Sequence, residues 1–329
     1  MRVLFIGGTG NISAACAALL HARGHDVLVL SRGRNPVPVA YKALSADRTD
    51  ADAMKNALAE EAIDVVINFL GFFLPELEID YALFADKISQ YIFISSTTVY
   101  AKPHERLPLC EESPLGNPFS EYARKKQACE EWLLTRHRAD GFPVTIVRPS
   151  HTYSRRWIPN PVASSDYTLI ARLEQGKPVF VHDDGQSLWT LTASDDFAVG
   201  LAGLVGREEA VGQAYNVTGN EVLTWNQIYD EICRAAGIDC PEILRIPTDF
   251  ICGIEPEMSA KLKGDKAEHG VFDNARIKRL VPDFVCKKTF RTGVSEAVAW
   301  FHEEPARRRP NPKTDAVFEK ITTAWKERS

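Results

Sequence analysis

No stretch of this 329-residue chain has the roughly 20 consecutive apolar residues that a bilayer-crossing helix needs; the longest apolar run, Val65 to Leu74, is far shorter. A membrane partner is therefore not expected. The seven cysteines, at 16, 110, 129, 233, 240, 252 and 286, form no C-x-x-C pair and have no histidine at zinc-site spacing, so no structural metal and a reducing, cytoplasmic setting are expected. An excess of basic charge is also missing. At a net charge of -5 the chain lacks the general positive field that phosphate backbones select, and nucleic acid is disfavoured as a partner. There is no internal repeat and no low-complexity segment. The apolar N-terminus breaks into glycines too early to be read as a signal peptide.

What is present begins at Val3: V-L-F-I-G-G-T-G-N-I-S-A-A-C, then an alanine-rich helical stretch and a second apolar strand ending at Ser31-Arg32. Glycines at 7, 8 and 10 let backbone N–H groups approach a pyrophosphate at the positive end of the next helix. This predicts a dinucleotide on Gly7, Thr9, Gly10, Asn11 and Ile12, with Ser13 standing where a third glycine is usual. An NAD-binding unit commonly has an acid about 20 residues past the glycines, to accept from the ribose hydroxyls. Here that place is Ser31-Arg32, with Arg34 following. A small residue and an arginine would welcome a 2′-phosphate, so NADP is favoured over NAD.

Strand and helix patterns keep alternating, which predicts an α/β fold with a doubly wound parallel sheet of Rossmann type. The strand Asp64 to Phe69 ends in N-F-L-G, placing Phe69, Leu70 and Gly71 on the ribose side of the crevice at the carboxyl edge. After the strand Tyr91 to Ser95 come S-S-T-T-V-Y and, some 26 residues on, E-Y-A-R-K-K. Tyr122 and Lys126 are four apart and share a helix face. A phenol with a pKa near ~10 becomes a useful base when an ammonium stabilises its phenolate.

These blocks together resemble the extended short-chain dehydrogenase/reductase family, in its NAD-dependent epimerase/dehydratase branch. The resemblance implies Ser96, Tyr122 and Lys126 as the catalytic set. It implies Asp47 and Arg48, in A-D-R-T-D, beside the adenine. Pro149, Ser150 and His151, in V-R-P-S-H-T-Y, would close over the nicotinamide. Thr97, Thr98, His151, Arg155 and Trp189 are the implied substrate contacts. The implied reaction is hydride transfer at a secondary alcohol or ketone of a sugar or nucleotide-sugar-like molecule, with Tyr122 as general acid/base.

Four departures qualify this. Thr97 and Thr98 replace the Asp-Glu pair of dehydratases, which disfavours dehydration. Trp189 stands where the family has an arginine for the substrate diphosphate. His151 replaces an asparagine. Only about 20 residues separate Leu70 from Tyr91, a compression similar to that of the chloroplast stem-loop RNA-binding subgroup, so a non-catalytic cofactor-sensing or RNA-binding role is the alternative.

The expected lobes are residues 1–153 with about 188–219 for the dinucleotide, and about 154–187 with 220–301 as a smaller α/β substrate lobe. Residues 302–329 form a polar linker and a helix with Val317, Ile321 and Trp325 on one face, docking on the body or on a partner chain. Homodimerisation is left open.

Overall fold

The computed structural model describes residues 1–328. Its first half alternates as β1 (Arg2–Ile6), α1 (Ser13–Ala22), β2 (Asp26–Ser31), β3 (Lys42–Ser45), α2 (Ala51–Leu58), β4 (Val65–Asn68), α3 (Leu74–Phe84), β5 (Gln90–Ile94), α4 (Glu121–Asp140) and β6 (Val144–Pro149). The second half runs β7 (His151–Tyr153), α5 (Thr168–Glu174), β8 (Phe180–His182), β9 (Leu188–Ala193), α6 (Ser194–Leu204), β10 (Ala214–Val217), β11 (Val222–Thr224) and α7 (Trp225–Ala236). It ends with β12 (Leu244–Ile246), α8 (Thr248–Ile254), α9 (Met258–Lys261), α10 (Ala275–Leu280), α11 (Phe290–His302) and α12 (Pro312–Lys326).

Seven strands form one parallel sheet in the order β10-β6-β5-β4-β1-β2-β3. Strands β1, β4 and β5 are almost wholly apolar because helices cover both faces of such a sheet. Strand order reverses between β1 and β4, and the crevice beyond their carboxyl ends is the ligand position of doubly wound sheets. Asp50 caps α2 by accepting from the Ala53 N–H at 2.9 Å. Ser120 caps α4 in the same way through Ala123, which starts that helix just before Tyr122.

A second core lies under β7, β8, β9, β11 and β12, around Trp225, Ile228, Tyr229 and Ile232 of α7. Strand β9 pairs with β7 and β11 and sends Trp189 and Leu191 into this core. The expected return to the dinucleotide lobe at residue 188 thus occurs only at α6, which packs on α1; β10 then joins the large sheet. Helix α12 docks on the chain itself. Its Phe318 ring meets Phe180 at 5.2 Å, and Glu319 accepts from Arg172 at 2.9 Å. Among the described residues no helix is long and apolar enough to cross a membrane.

The short segment between β4 and β5 holds one 11-residue helix, α3. Its Asp80 is buried and needs a counter-charge. Arg48 supplies it, reaching Asp80 Oδ2 at 3.2 Å, Asn68 Oδ1 at 2.9 Å and Glu76 at 3.5 Å. Only 8% of Arg48 is exposed. Arg48 is therefore an internal cross-link, and the expectation that it lies against an adenine is corrected. Replacing Arg48 by Met would strand a buried carboxylate, which typically costs about 3–5 kcal/mol. A denaturant midpoint that falls accordingly is the expected result, and an unchanged midpoint would contradict it.

Candidate active site

The turn between β1 and α1 is glycine-dependent for two reasons at residue 7. Its φ is 87°, and a Cβ there would come within 2.6 Å of the Leu70 side chain. A Cβ on Gly8 would meet Val29 at 2.8 Å. Ser13, in the third glycine's place, accepts from the Gly10 N–H at 2.9 Å and so holds the turn. The N–H groups of Asn11 and Ile12 find no acceptor among the described residues. Free donors at the start of a ten-residue helix suit a diphosphate, so the turn fits a dinucleotide. NAD or NADP would be held there through Thr9, Gly10, Asn11 and Ile12.

At the β2 end, Ser31 Oγ accepts from the Gly33 N–H at 3.2 Å, while Arg32 and Arg34 are exposed. Asp47 accepts from the backbone and hydroxyl of Thr49 at 3.0 and 2.8 Å. Those bonds, then the charges of Arg32 and Arg34, hold its carboxyl below the usual range. Of the three residues after β4, Phe69 stacks inward on Phe5, Leu70 covers the glycine turn, and Gly71 turns its carbonyl to Lys126.

The helix α4 brings Tyr122 and Lys126 to the carboxyl edge of β5. Ser95 N–H donates to Val147 O at 2.7 Å, so the segments following β5 and β6 leave the sheet side by side. Ser96 lies close enough to Tyr122 to oppose the rise of its phenol pKa. Its own nearest partners are Thr98 Oγ1 at 2.9 Å and Thr98 N at 3.2 Å. Tyr122 keeps 42% of its surface exposed. The walls still desolvate its hydroxyl end and push the phenol up to about 12, with Asp265 adding to the rise and Ser96 opposing it. At neutral pH the group is a proton donor.

Lys126 is buried. Its Nζ donates to Gly71 O at 2.8 Å and Ile94 O at 2.7 Å, under the rings of Phe72 at 4.4 Å and Phe93 at 4.8 Å. Burial pulls the ammonium down to about 7. The Lys126 ammonium is turned to the two carbonyls, 5.9 Å from the Tyr122 ring centre.

Several expected contacts are placed differently. Thr97 is buried, so of the two threonines Thr98 is the one bound to Ser96. Ser150 Oγ is taken by Thr192 Oγ1 at 2.6 Å. Trp189 is only 3% exposed, packed between His151 at 4.4 Å and Trp225 at 4.7 Å. It builds the wall behind His151 and presents no surface of its own to a substrate. His151 keeps a buried Nε2 without a partner, and burial, then the charge of Lys266, pulls it down to about 3, so the ring is neutral. Asn11 donates to Thr152 O at 2.9 Å and accepts from Ser154 Oγ. Those bonds bring Arg155 beside the glycine turn, and both line a cavity of about 640 Å³ that lacks Ser96, Tyr122 and Lys126. Arg155, expected among the substrate contacts, thus lies beside the glycine turn.

Sequence reasoning missed Phe72, whose ring lies 6.0 Å from that of Tyr122, and Asn117, which donates to Thr98 O at 2.8 Å and Gly264 O at 2.7 Å. An apolar run and an Asn-Pro pair carry no signal for either role.

A family model described as NAD dependent epimerase/dehydratase matches residues 3–218. The chain belongs to that family. Its enzymes are of the short-chain dehydrogenase/reductase type, and the parallel sheet with flanking helices is theirs. The chain is similar to a 2′-dehydrokanamycin reductase of Streptomyces kanamyceticus, 26% identical over 91% of this chain and 84% of the relative. It is also similar to the chloroplast stem-loop binding protein of 41 kDa b of Arabidopsis thaliana, 30% identical over 77% and 68%. Among solved structures, the UDP-glucose 4-epimerase of Thermotoga maritima with UDP-glucose superposes with a TM-score of 0.74, at 18% identity over 92% of this chain and 99% of that one. The one from Bifidobacterium longum with NAD+ and UDP gives 0.71, at 21% identity over 93% and 99%. At these identities the likeness is one of fold.

A lysine whose pKa is depressed by folding costs stability while both states hold the proton. Below about pH 7 the cost of Lys126 is complete; it shrinks as pH rises, because the unfolded chain then binds the proton that the folded one has lost, and it is gone above the ordinary lysine value. Replacing Lys126 by Met should therefore raise the melting temperature most at about pH 6 to 7 and leave little difference near about pH 10. A variant less stable than the wild type at pH 6 would contradict this.

Proposed function

We propose that the chain is an NAD(P)-dependent epimerase or oxidoreductase acting at a secondary alcohol or ketone of a sugar or nucleotide-sugar-like substrate. The observation that carries this is the exposed Tyr122 side chain, one helical turn before the buried Lys126 ammonium that binds Gly71 O and Ile94 O at the carboxyl edge of the sheet. The bound cofactor would supply the hydride acceptor and donor. Tyr122 gives a proton to the ketone oxygen, or takes one from the alcohol, and Ser96 steadies the same oxygen. Lys126 holds Gly71 and Ile94 in place around the position of the nicotinamide ribose. Epimerisation asks in addition that the ketone turn over within the pocket before it is reduced.

NADP is proposed as the preferred cofactor because Arg32 and Arg34 are exposed beside Ser31, with no acid from the β2 end competing for the ribose. Asp47 is the nearest carboxylate, and its oxygen already accepts two bonds from Thr49. A relative named a stem-loop binding protein and the short α3 favour a non-catalytic, RNA-binding role. The retained Ser96, Tyr122 and Lys126 speak for catalysis, since binding alone has no chemical use for all three.

Tyr122→Phe separates the two readings. With a panel of sugars and nucleotide-sugars, turnover should fall by about 10²–10⁴-fold, the usual contribution of a positioned acid/base; unchanged turnover on every responsive substrate would defeat the catalytic reading. For the cofactor, fluorescence titration of NADPH and NADH against the wild type and Arg32→Ala should show a preference for NADPH that shrinks in the variant. A preference that persists undiminished would remove Arg32 from the 2′-phosphate.

A further inference from the structure

The glycine turn opens onto the cavity of about 640 Å³, and the segment after β7 forms part of the opposite wall. Thr9, Gly10 and Asn11 line it on one side and Ser154 to Trp157 on another. A diphosphate seated on the turn would bring about two negative charges, whereas a helix N-terminus offers only about half a positive one. The rest must come from side chains. The stretch after β4, N-F-L-G-F-F-L, has no charged residue to give. Arg32 and Arg34 are not in the cavity lining; their charges act on Asp47 instead. The basic residues that do line the cavity are Arg155, Arg156 and Lys288.

These three differ in what already occupies them. The Lys288 ammonium donates to Asp195 at 2.6 Å and to Glu296 at 2.8 Å, so its charge is neutralised within the cavity wall. The Arg156 guanidinium lies over the Trp300 ring, 5.7 Å from its centre. Arg155 is exposed, and among the described residues its guanidinium has no carboxylate, hydrogen-bond acceptor or ring as a partner. Its backbone is nevertheless held. Ser154 donates to Asn11 Oδ1, Asn11 Nδ2 donates to Thr152 O at 2.9 Å, and the Trp157 N–H closes a turn on Ser154 O at 3.0 Å. The one unoccupied guanidinium of the cavity thus follows directly on a residue bonded to the glycine turn.

We propose that Arg155 binds the diphosphate of the dinucleotide, meeting from the far wall of the cavity the phosphates that the Asn11 and Ile12 N–H groups hold from the turn. This rests on the reading of the glycine turn as the dinucleotide site, and it is independent of Ser96, of Tyr122 and of any preference between NAD and NADP. A guanidinium suits the role because its planar fork matches two phosphate oxygens at once. Arg155 is then a determinant of cofactor affinity supplied by the part of the chain that lies beyond the large sheet.

The test is fluorescence titration of the whole chain with NADH and with NADPH, and competition by ADP-ribose, which keeps the diphosphate and lacks the nicotinamide. Arg155→Ala should weaken all three by the same factor, roughly fivefold or more, as loss of a charged hydrogen bond at a partly solvated site implies. Arg155→Lys should recover part of the loss, and Arg156→Ala should leave the three affinities unchanged. The melting temperature of the ligand-free Arg155→Ala protein should equal that of the wild type, because an exposed side chain without partners is removed; Arg155→Gln serves if it does not. Equal affinities in wild type and Arg155→Ala overturn the proposal alone. A loss confined to NADPH overturns it by moving Arg155 to the 2′-phosphate, and an equal loss in Arg156→Ala overturns it by showing a diffuse effect of charge. Failure of all three ligands to bind the wild type overturns the reading of the glycine turn, and the proposal with it.

Discussion

An ammonium sealed from water ties the helix that carries Tyr122 to the carboxyl edge of the sheet. Lys126 reaches from α4 to the carbonyls of Gly71 and Ile94, which belong to the ends of two adjacent strands. Burying it is costly, and the cost is offset only because both carbonyls and two aromatic rings converge on one point. The geometry of that convergence sets the rotation of α4 about its axis. Four residues earlier on the same face, Tyr122 is thereby aimed into the cleft next to Ser96. A cleft built in this way trades stability for a fixed phenol.

Two asparagines carry that arrangement into the second lobe. Asn11 joins the glycine turn to the segment after β6, through Thr152 and Ser154. Asn117 joins the segment after β5 to the π-helical turn at Gly264. Asn11 donates to the Thr152 carbonyl and accepts from the Ser154 hydroxyl, while the Asn117 amide group donates to the carbonyls of two different segments. The glycine turn, the segment that leads to Tyr122 and the turn at Gly264 are thus tied by a few short polar contacts.

The parts of this arrangement that could be read from the sequence are local. The glycines at 7, 8 and 10 announce themselves because a tight turn before a helix leaves few other residue types acceptable. Tyr122 and Lys126 do so through helical spacing, and the alternating strand and helix patterns give the sheet. Contacts between distant segments left no such mark. Nothing in A-D-R-T-D tells that Arg48 must neutralise Asp80, 32 residues later, instead of meeting a ligand. Nothing around Trp189 tells that its ring is buried under His151 and against Trp225. Arg155 follows V-R-P-S-H-T-Y closely in sequence, yet the bond from Ser154 to Asn11 carries it to the glycine turn. Each of these is a matter of which charges and rings meet in space, and that is decided by the packing of the whole sheet.

The central claim is that the phenol of Tyr122 faces the place where a nicotinamide ring lies. Its titration, followed by NMR on protein labelled at the tyrosine ζ carbon and assigned with the Tyr122→Phe variant, tests this without a known substrate. The phenol should titrate near 12 in the cofactor-free protein. Saturating NAD+ or NADP+, which brings a cationic ring close, should lower that value by about a unit or more, as a nearby opposite charge does for a phenolate. A Tyr122 resonance whose titration is the same with and without the oxidised cofactor would contradict the account.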